Sequence, residues 1–362
     1  MDHPLDESLL AGSQPPETAQ ARPWRLVWAL ILAALAGVSL MLGVVPWQAS
    51  ARPAFLAEAE LRYLYVSFHG DGSYKTPLPE YGVNQVLRFD LEDLSLQPMP
   101  VLDWSGSPTP PRMLRDMKLL SDGSLFIAQG LKFDSCILQY GPCTASGERL
   151  FVKEYRSPIL VHPYALTFIG DTLYASTQDS GTVMAFDLTD SNELAEGGRI
   201  RFNLEGFFRY RPGITYRGIA SFQRCLYVSV TEMDVVAVIC NNLTHVSSRI
   251  QVRHPIGLMV DEEAEHLYIA SPGKHKHKHE KHGEGQEGEV MVWDLRKKKF
   301  IRSLKHEGMK HPTNMVLRHG SVIVASQTQK SILEFKRSTG SFQRVLFRGL
   351  PDSPENIMLS PC

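Results

Sequence analysis

The chain has 362 residues, with 38 Lys and Arg against 39 Asp and Glu and a formal net charge of −1. That length holds one large domain or two ordinary ones with a real core, and the balanced charge excludes the basic footprint of a nucleic-acid or polyanion binder. With 27 Gly and 23 Pro, the composition is that of an ordinary globular protein rich in turns.

Residues 1–23 are polar and read as a disordered cytosolic tail. From Leu26 to Val45 the chain runs "LVWALILAALAGVSLMLGVV" without a charge. Such a run crosses roughly 30 Å of hydrocarbon as a helix. Trp24, Trp28 and Trp47 sit near its ends, where indole rings favour the interface. Arg22 and Arg25 precede the run and Arg52 and Arg62 follow it, so charge bias says little about orientation. The expectation is a transmembrane helix over 24–47, acting as an uncleaved signal anchor of a single-pass type II membrane protein, with a linker at 48–57. The alternative is secretion after cleavage near Ala51, because "ASA" at 49–51 matches a small-residue cleavage site. Both readings place the remainder in the secretory-pathway lumen or outside the cell. "NLT" at Asn242 agrees, as a glycosylation acceptor in a turn between apolar runs.

Over 58–362 the chain repeats itself. "RYLYVSFHG" from Arg62, "GSLFIAQG" from Gly123, "DTLYASTQ" from Asp171, "RCLYVSVT" from Arg224, "EHLYIASP" from Glu265 and "GSVIVASQ" from Gly320 are copies of one phrase. Each has the β-branched, aromatic and small residues of a buried strand. A second phrase follows, as in "NQVLRFDLEDL", "GTVMAFDLTDS", "GEVMVWDLRKK" and "KSILEFKRSTG", with the alternation of a half-buried strand. Less regular fourth strands come next, such as "RIRFNL" and "SSRIQVR". Before the first phrase stands another, as in "HPYALTFIGD", "HPIGLMVDEE" and "HPTNMVLRHG". Four strands in about 40 to 60 residues are the sign of a propeller blade. The expected fold is therefore all-β, a six-bladed β-propeller. The final "SPENIMLSPC" matches the inner-strand phrase and has no partner after it, whereas "LRYLYVSF" has no inner strand before it. The C-terminal strand should close the first blade and remove a sheet edge.

Cys225 and Cys240 flank a hairpin, "CLYVSVTEMDVVAVIC". With its turn at Glu232 and Met233 they fall opposite each other, at a distance that a disulfide bridges. Cys136 and Cys143 flank "ILQYGP" and are a candidate second pair, which leaves Cys362 as a free thiol or an intermolecular bridge. "GKHKHKHEKHGEGQEGE" from Gly273 interrupts the fifth blade. Its His275, His277, His279 and His282 are candidate ligands for a transition metal, weighed against a solvated surface insertion.

Channel chemistry depends on the first residues of each inner strand. The first position is Arg115, Tyr164, Arg217, Ile256, Thr313 and Glu355; the second is Asp116, Ala165, Gly218, Gly257, Asn314 and Asn356. Asp116, Asn314, Glu355 and Asn356 offer the oxygens that a channel Ca²⁺ requires, and such an ion would polarise an ester or lactone carbonyl or activate water. The other reading is a hydrated polar channel. His162, His254 and His311 each precede a Pro, as turn residues or as general bases at the channel mouth.

"LPDSPENIMLSP" resembles the "LPGxPDNIxxS" phrase of strictosidine synthase-like proteins, which share a six-bladed superfamily with the gluconolactonase, paraoxonase and NHL-repeat groups. The resemblance implies a propeller from about Glu58 to Cys362, and it is compatible with a membrane-anchored lumenal arrangement. It further implies that Glu355 and Asn356, in place of "DN", and Asn314 in the neighbouring blade hold a channel cation. Glu stands where the family has Asp, and the phrase lies at the end of the chain. Two functions follow from the residues: a module that binds a protein or glycan partner, or a Ca²⁺-dependent hydrolase of esters or lactones. No nucleophile motif such as G-x-S-x-G favours the second.

Overall fold

The computed structural model describes residues 61–70, 83–131, 134–203, 214–240, 243, 245–272 and 288–362. The expected tail, membrane helix and linker, the acceptor Asn242, and His275, His277, His279 and His282 lie outside the described residues. Among those described, no helix is long and apolar enough to cross a membrane.

The strands form six sheets. Blade one holds β1 (Tyr63–Phe68), β2 (Val86–Asp90) and β3 (Met99–Pro100). β4 (Leu102–Asp103) crosses to blade two and pairs in parallel with β8 (Arg149–Tyr155), outside β5 (Leu114–Leu119), β6 (Leu125–Gln129) and β7 (Cys136–Cys143). Blade three is β9 (Pro163–Ile169), β10 (Thr172–Thr177), β11 (Thr182–Asp187) and β12 (Arg199–Asn203). Blade four is β13 (Tyr216–Phe222), β14 (Cys225–Val230), β15 (Val235–Ile239) and β16 (Val246–Gln251). Blade five is β17 (Leu258–Asp261), β18 (His266–Ser271), β19 (Glu289–Asp294) and β20 (Lys299–Lys305). Blade six is β21 (Pro312–Arg318), β22 (Ser321–Ser326), β23 (Ser331–Lys336) and β24 (Phe342–Phe347). The last strand, β25 (Pro354–Ser360), returns to blade one and pairs antiparallel with β1, from Tyr63 opposite Ser360 to Phe68 opposite Pro354. The ring closes as expected.

The repeated phrase is the second strand of each blade, and it is apolar on both faces because a blade stacks between two others. In β1, Leu64, Val66 and Phe68 pack toward blade six with Ile323, Ala325 and Ile332. Tyr65, on the opposite face, packs toward blade two with Leu114, Ile127 and Leu138. Outer strands such as β24 alternate with solvent instead.

Disulfides close two points. Cys225 joins Cys240, as the hairpin register predicts. Cys143 joins Cys362, their Cα atoms 6.5 Å apart, while Cys136 is a buried free thiol. The expected Cys136–Cys143 bond is therefore wrong, and Cys362 is not left over. The physical reason is that Cys136 to Cys143 is one strand, not a loop. Seven steps of about 3.3 Å keep its two ends far apart. Gly141 and Pro142 mark a register shift in that strand, not a turn. Burial pushes the Cys136 thiol up to about 12, so it stays protonated and inert.

Candidate functional site in the central channel

The inner strands reach the channel through β-bulges. In blade two the pairing jumps from Leu114 to Met117, freeing Arg115 and Asp116. In blade four it jumps from Tyr216 to Ile219, freeing Arg217 and Gly218. In blade six it jumps from Pro312 to Met315, freeing Thr313 and Asn314. Blades three and one shift at Tyr164 and Glu355. A bulge re-aims the extra residue, and here the residues released are the first-column residues of five blades, joined by the second-column residue in blades two, four and six. The Ser of the repeated phrase braces some of them: Ser67 Oγ donates to the Arg115 carbonyl at 2.7 Å, and Ser176 Oγ donates to the Arg217 carbonyl.

The expected histidines hold the turns before these strands. His162, His254 and His311 have φ of +51°, +41° and +57°, in the left-handed region where His is enriched among non-glycine residues. Their carbonyls and N–H groups tie the adjacent turns: Gln178 N–H donates to His162 O, Gln327 N–H to His311 O, and His254 N–H to Asp234.

All four candidate cation ligands line one small cavity, together with Arg115 and Tyr164. The structure brings them together but commits most of their oxygens. Glu355 forms a buried ion pair with Arg115 Nη1 at 2.9 Å. Gln327 Nε2 donates to the same carboxylate at 2.7 Å, and Tyr164 lines the cavity beside it. Burial alone would raise the Glu355 pKa. Arg115 first, then His69, Tyr164 and Arg217, outweigh it and hold the carboxyl below its usual range. Burial and the facing carboxylate push the Tyr164 phenol up. Asp116 accepts from Met117 N–H at 2.8 Å, Lys118 Nζ at 3.0 Å, Asn356 Nδ2 at 2.7 Å and Leu166 N–H at 2.7 Å. The Asn356 amide nitrogen must face Asp116, which leaves Asn356 Oδ1 buried without a hydrogen-bond partner.

A hard cation such as Ca²⁺ takes 6–8 oxygen ligands. Among the described residues the channel presents two uncommitted amide oxygens, Asn356 Oδ1, buried without a partner, and that of Asn314, beside carboxylates already held by cations and N–H groups. That donor set fits the ion poorly. The cavity has about 10 Å³ for the centre of a water-sized particle, where one water needs about 10–15 Å³. A lactone does not fit beneath the Arg115–Glu355 pair without moving it. Among the described residues no group of three or more His, Cys, Asp or Glu side chains is placed to hold a metal ion.

His162 Nδ1 lies 3.2 Å from Asp179, while its Nε2 is buried and unpartnered. Burial first, then the charge of Arg115, lowers its pKa against the pull of Asp179. A buried Nε2 reaches no substrate, so the turn role fits His162 better than that of a base.

Arg115, Tyr164 and Arg217 stand in the same sequence column as Glu355. Reading that column only for oxygen donors missed the ion pair. Complementary charge in neighbouring blades was the available signal. Gln327, at the tip of a neighbouring hairpin, had none.

No family model and no curated protein sequence matches the chain. Solved structures match the fold. One is a nidogen/laminin complex, at 12% identity over 82% of this chain and 97% of that one, with a TM-score of 0.57. Another, from Bacteroides uniformis, is described as a "putative 6-phosphogluconolactonase", at 11% identity over 83% and 99%, TM-score 0.58. A protein of the same description from Bacteroides fragilis gives 11%, 83% and 98%, TM-score 0.56. At such identities the likeness establishes a β-propeller and nothing of its chemistry.

Proposed function

We propose that this propeller is a binding module that recognises a protein or glycan partner with the face that carries the channel mouth. The observation that carries the reading is the distribution of connections. Between consecutive strands of the described residues, the three longest stretches of sequence, 69–85, 204–215 and 272–288, leave and re-enter the sheets on that face. Long connections on a rigid scaffold are where binding residues concentrate. A channel closed by a buried ion pair agrees with use of the rim, not the interior. The nidogen/laminin structure shows the same fold in a protein complex.

β1 begins beside Ser360, at the end of blade one opposite the channel mouth. The two disulfides support an oxidising compartment, as the lumenal or extracellular reading requires.

Photo-crosslinkers in the full-length chain at Arg253 and Lys330, exposed on the mouth face, test the reading against crosslinkers at Asp122 and His319 on the opposite face. The module reading predicts discrete adducts from the first pair only. Adducts from the opposite face alone would contradict it. The second reading, a Ca²⁺-dependent ester or lactone hydrolase, draws support from the shared cavity of Asp116, Asn314, Glu355 and Asn356 and from the lactonase descriptions of similar folds. It requires the Arg115–Glu355 pair to open.

A further inference from the structure

The ring of first-position side chains holds one more cation than it pairs. Arg115 and Arg217, from blades two and four, both lie against the Tyr164 ring of blade three. Their guanidinium carbons are 5.9 and 5.6 Å from its centroid. Glu355 neutralises Arg115, and Asp179 takes His162. Among the described residues, no carboxylate lies within ion-pair reach of Arg217, and its buried Nε has no hydrogen-bond partner. The cation–π contact with Tyr164 compensates only part of the cost of a half-buried charge whose Nε is left unpartnered.

We propose that Arg217, with Tyr164 and Arg115 beside it, forms a site for one oxyanion at the channel mouth. The planar guanidinium fork matches a carboxylate, phosphate or sulfate in two-point contact. The cavity below has room for at most about one water, so the ligand stays at the mouth and enters only by its anionic tip. Two sources share that chemistry: an acidic group carried by a docking partner, or a small free anion. The first deepens the binding-module reading and rests on it; the second does not.

The test is calorimetric titration of the full-length chain with acetate, inorganic phosphate and a hepta-glutamate peptide, at constant ionic strength set with chloride. The wild type should bind at least one of them, Arg217→Met should bind it at least tenfold more weakly, and Arg217→Lys should fall between. Peptide binding tenfold or more tighter than acetate assigns the site to a partner's acidic group. Equal binding, or binding of phosphate alone, assigns it to a free anion. No binding of any probe, or equal binding by wild type and Arg217→Met, overturns the site. So does an Arg217→Met protein that melts below the wild type in chloride alone, because the cation would then be a structural strut already satisfied by the Tyr164 ring. Loss of mouth-face crosslinks with anion binding intact would defeat the module reading and leave this one standing.

Discussion

Glu355 and Arg115 are each 4% exposed and 2.9 Å apart, so neither has water to fall back on. Removing one charge strands the other. Glu355→Gln should therefore destabilise the domain by about 3–5 kcal/mol, read by chemical denaturation at pH 7. A change under about 1 kcal/mol would show that the pair is not buried as described. The deficit should also shrink in acid. A carboxyl held below its unfolded value of 4.5 contributes stability above pH 4.5 and loses it as pH falls through the folded value. Wild type and Glu355→Gln should then converge below about pH 4.5, after an earlier decline in both. That earlier loss starts near pH 6.5, since His162 and His266 are held below their ordinary value by burial, and the unfolded chain takes up protons first. At this scale the sequence aligned the right columns but not their pairing. Glu355 looked like a ligand because its column was read for acceptors, while charge neutralisation between Arg115 and Glu355 depends on blade one and blade two being neighbours.

The bulges explain why the columns could be aligned at all. The inner-strand phrases keep their spacing from the following turn, and the bulge lets two residues leave the ladder without shifting the apolar register beyond them. Second strands were equally legible, since burial on both faces demands an uninterrupted apolar run. The third strand of blade two was not, because Gly141 and Pro142 inside it carry the residues of a turn. That error also misassigned Cys143. Its true partner, Cys362, follows β25, and the bond ties the closing strand to blade two across 219 residues of chain. Tyr65 Oη lies 3.4 Å from Cys143 Sγ, and Arg149 Nη2 lies 3.6 Å from Cys362 Sγ. Loop-closure entropy makes such a bond worth up to ~5 kcal/mol, against about 3 kcal/mol for the 15-residue span between Cys225 and Cys240. Cys362→Ser should thus lower the denaturation midpoint more than Cys225→Ser. The reverse order would mean that the closing strand is held by its ladder alone.

Closure by β25 joins both ends of the ring, removes a free edge and makes the six blades one cooperative body. This much was readable from an orphan inner-strand phrase at the end of the chain and a missing one at its start. What pattern could not reveal is how the channel is filled, because the same polar residues line an open metal site or a closed plug. The arrangement found is a plug: Arg115 against Glu355, Lys118 against Asp116, and the amide of Asn356 spanning to Asp116. On the proposed reading the work of the molecule falls to its mouth face, with the guanidinium of Arg217 at the channel entrance. Thermal melting of the full-length protein with millimolar Ca²⁺ and with chelator tests that conclusion most directly, since any ion bound only by the folded state raises the melting temperature by mass action. A plugged channel predicts superimposable melts. A rise of several degrees in Ca²⁺ that Asn356→Ala abolishes would contradict it and restore the cation-dependent hydrolase.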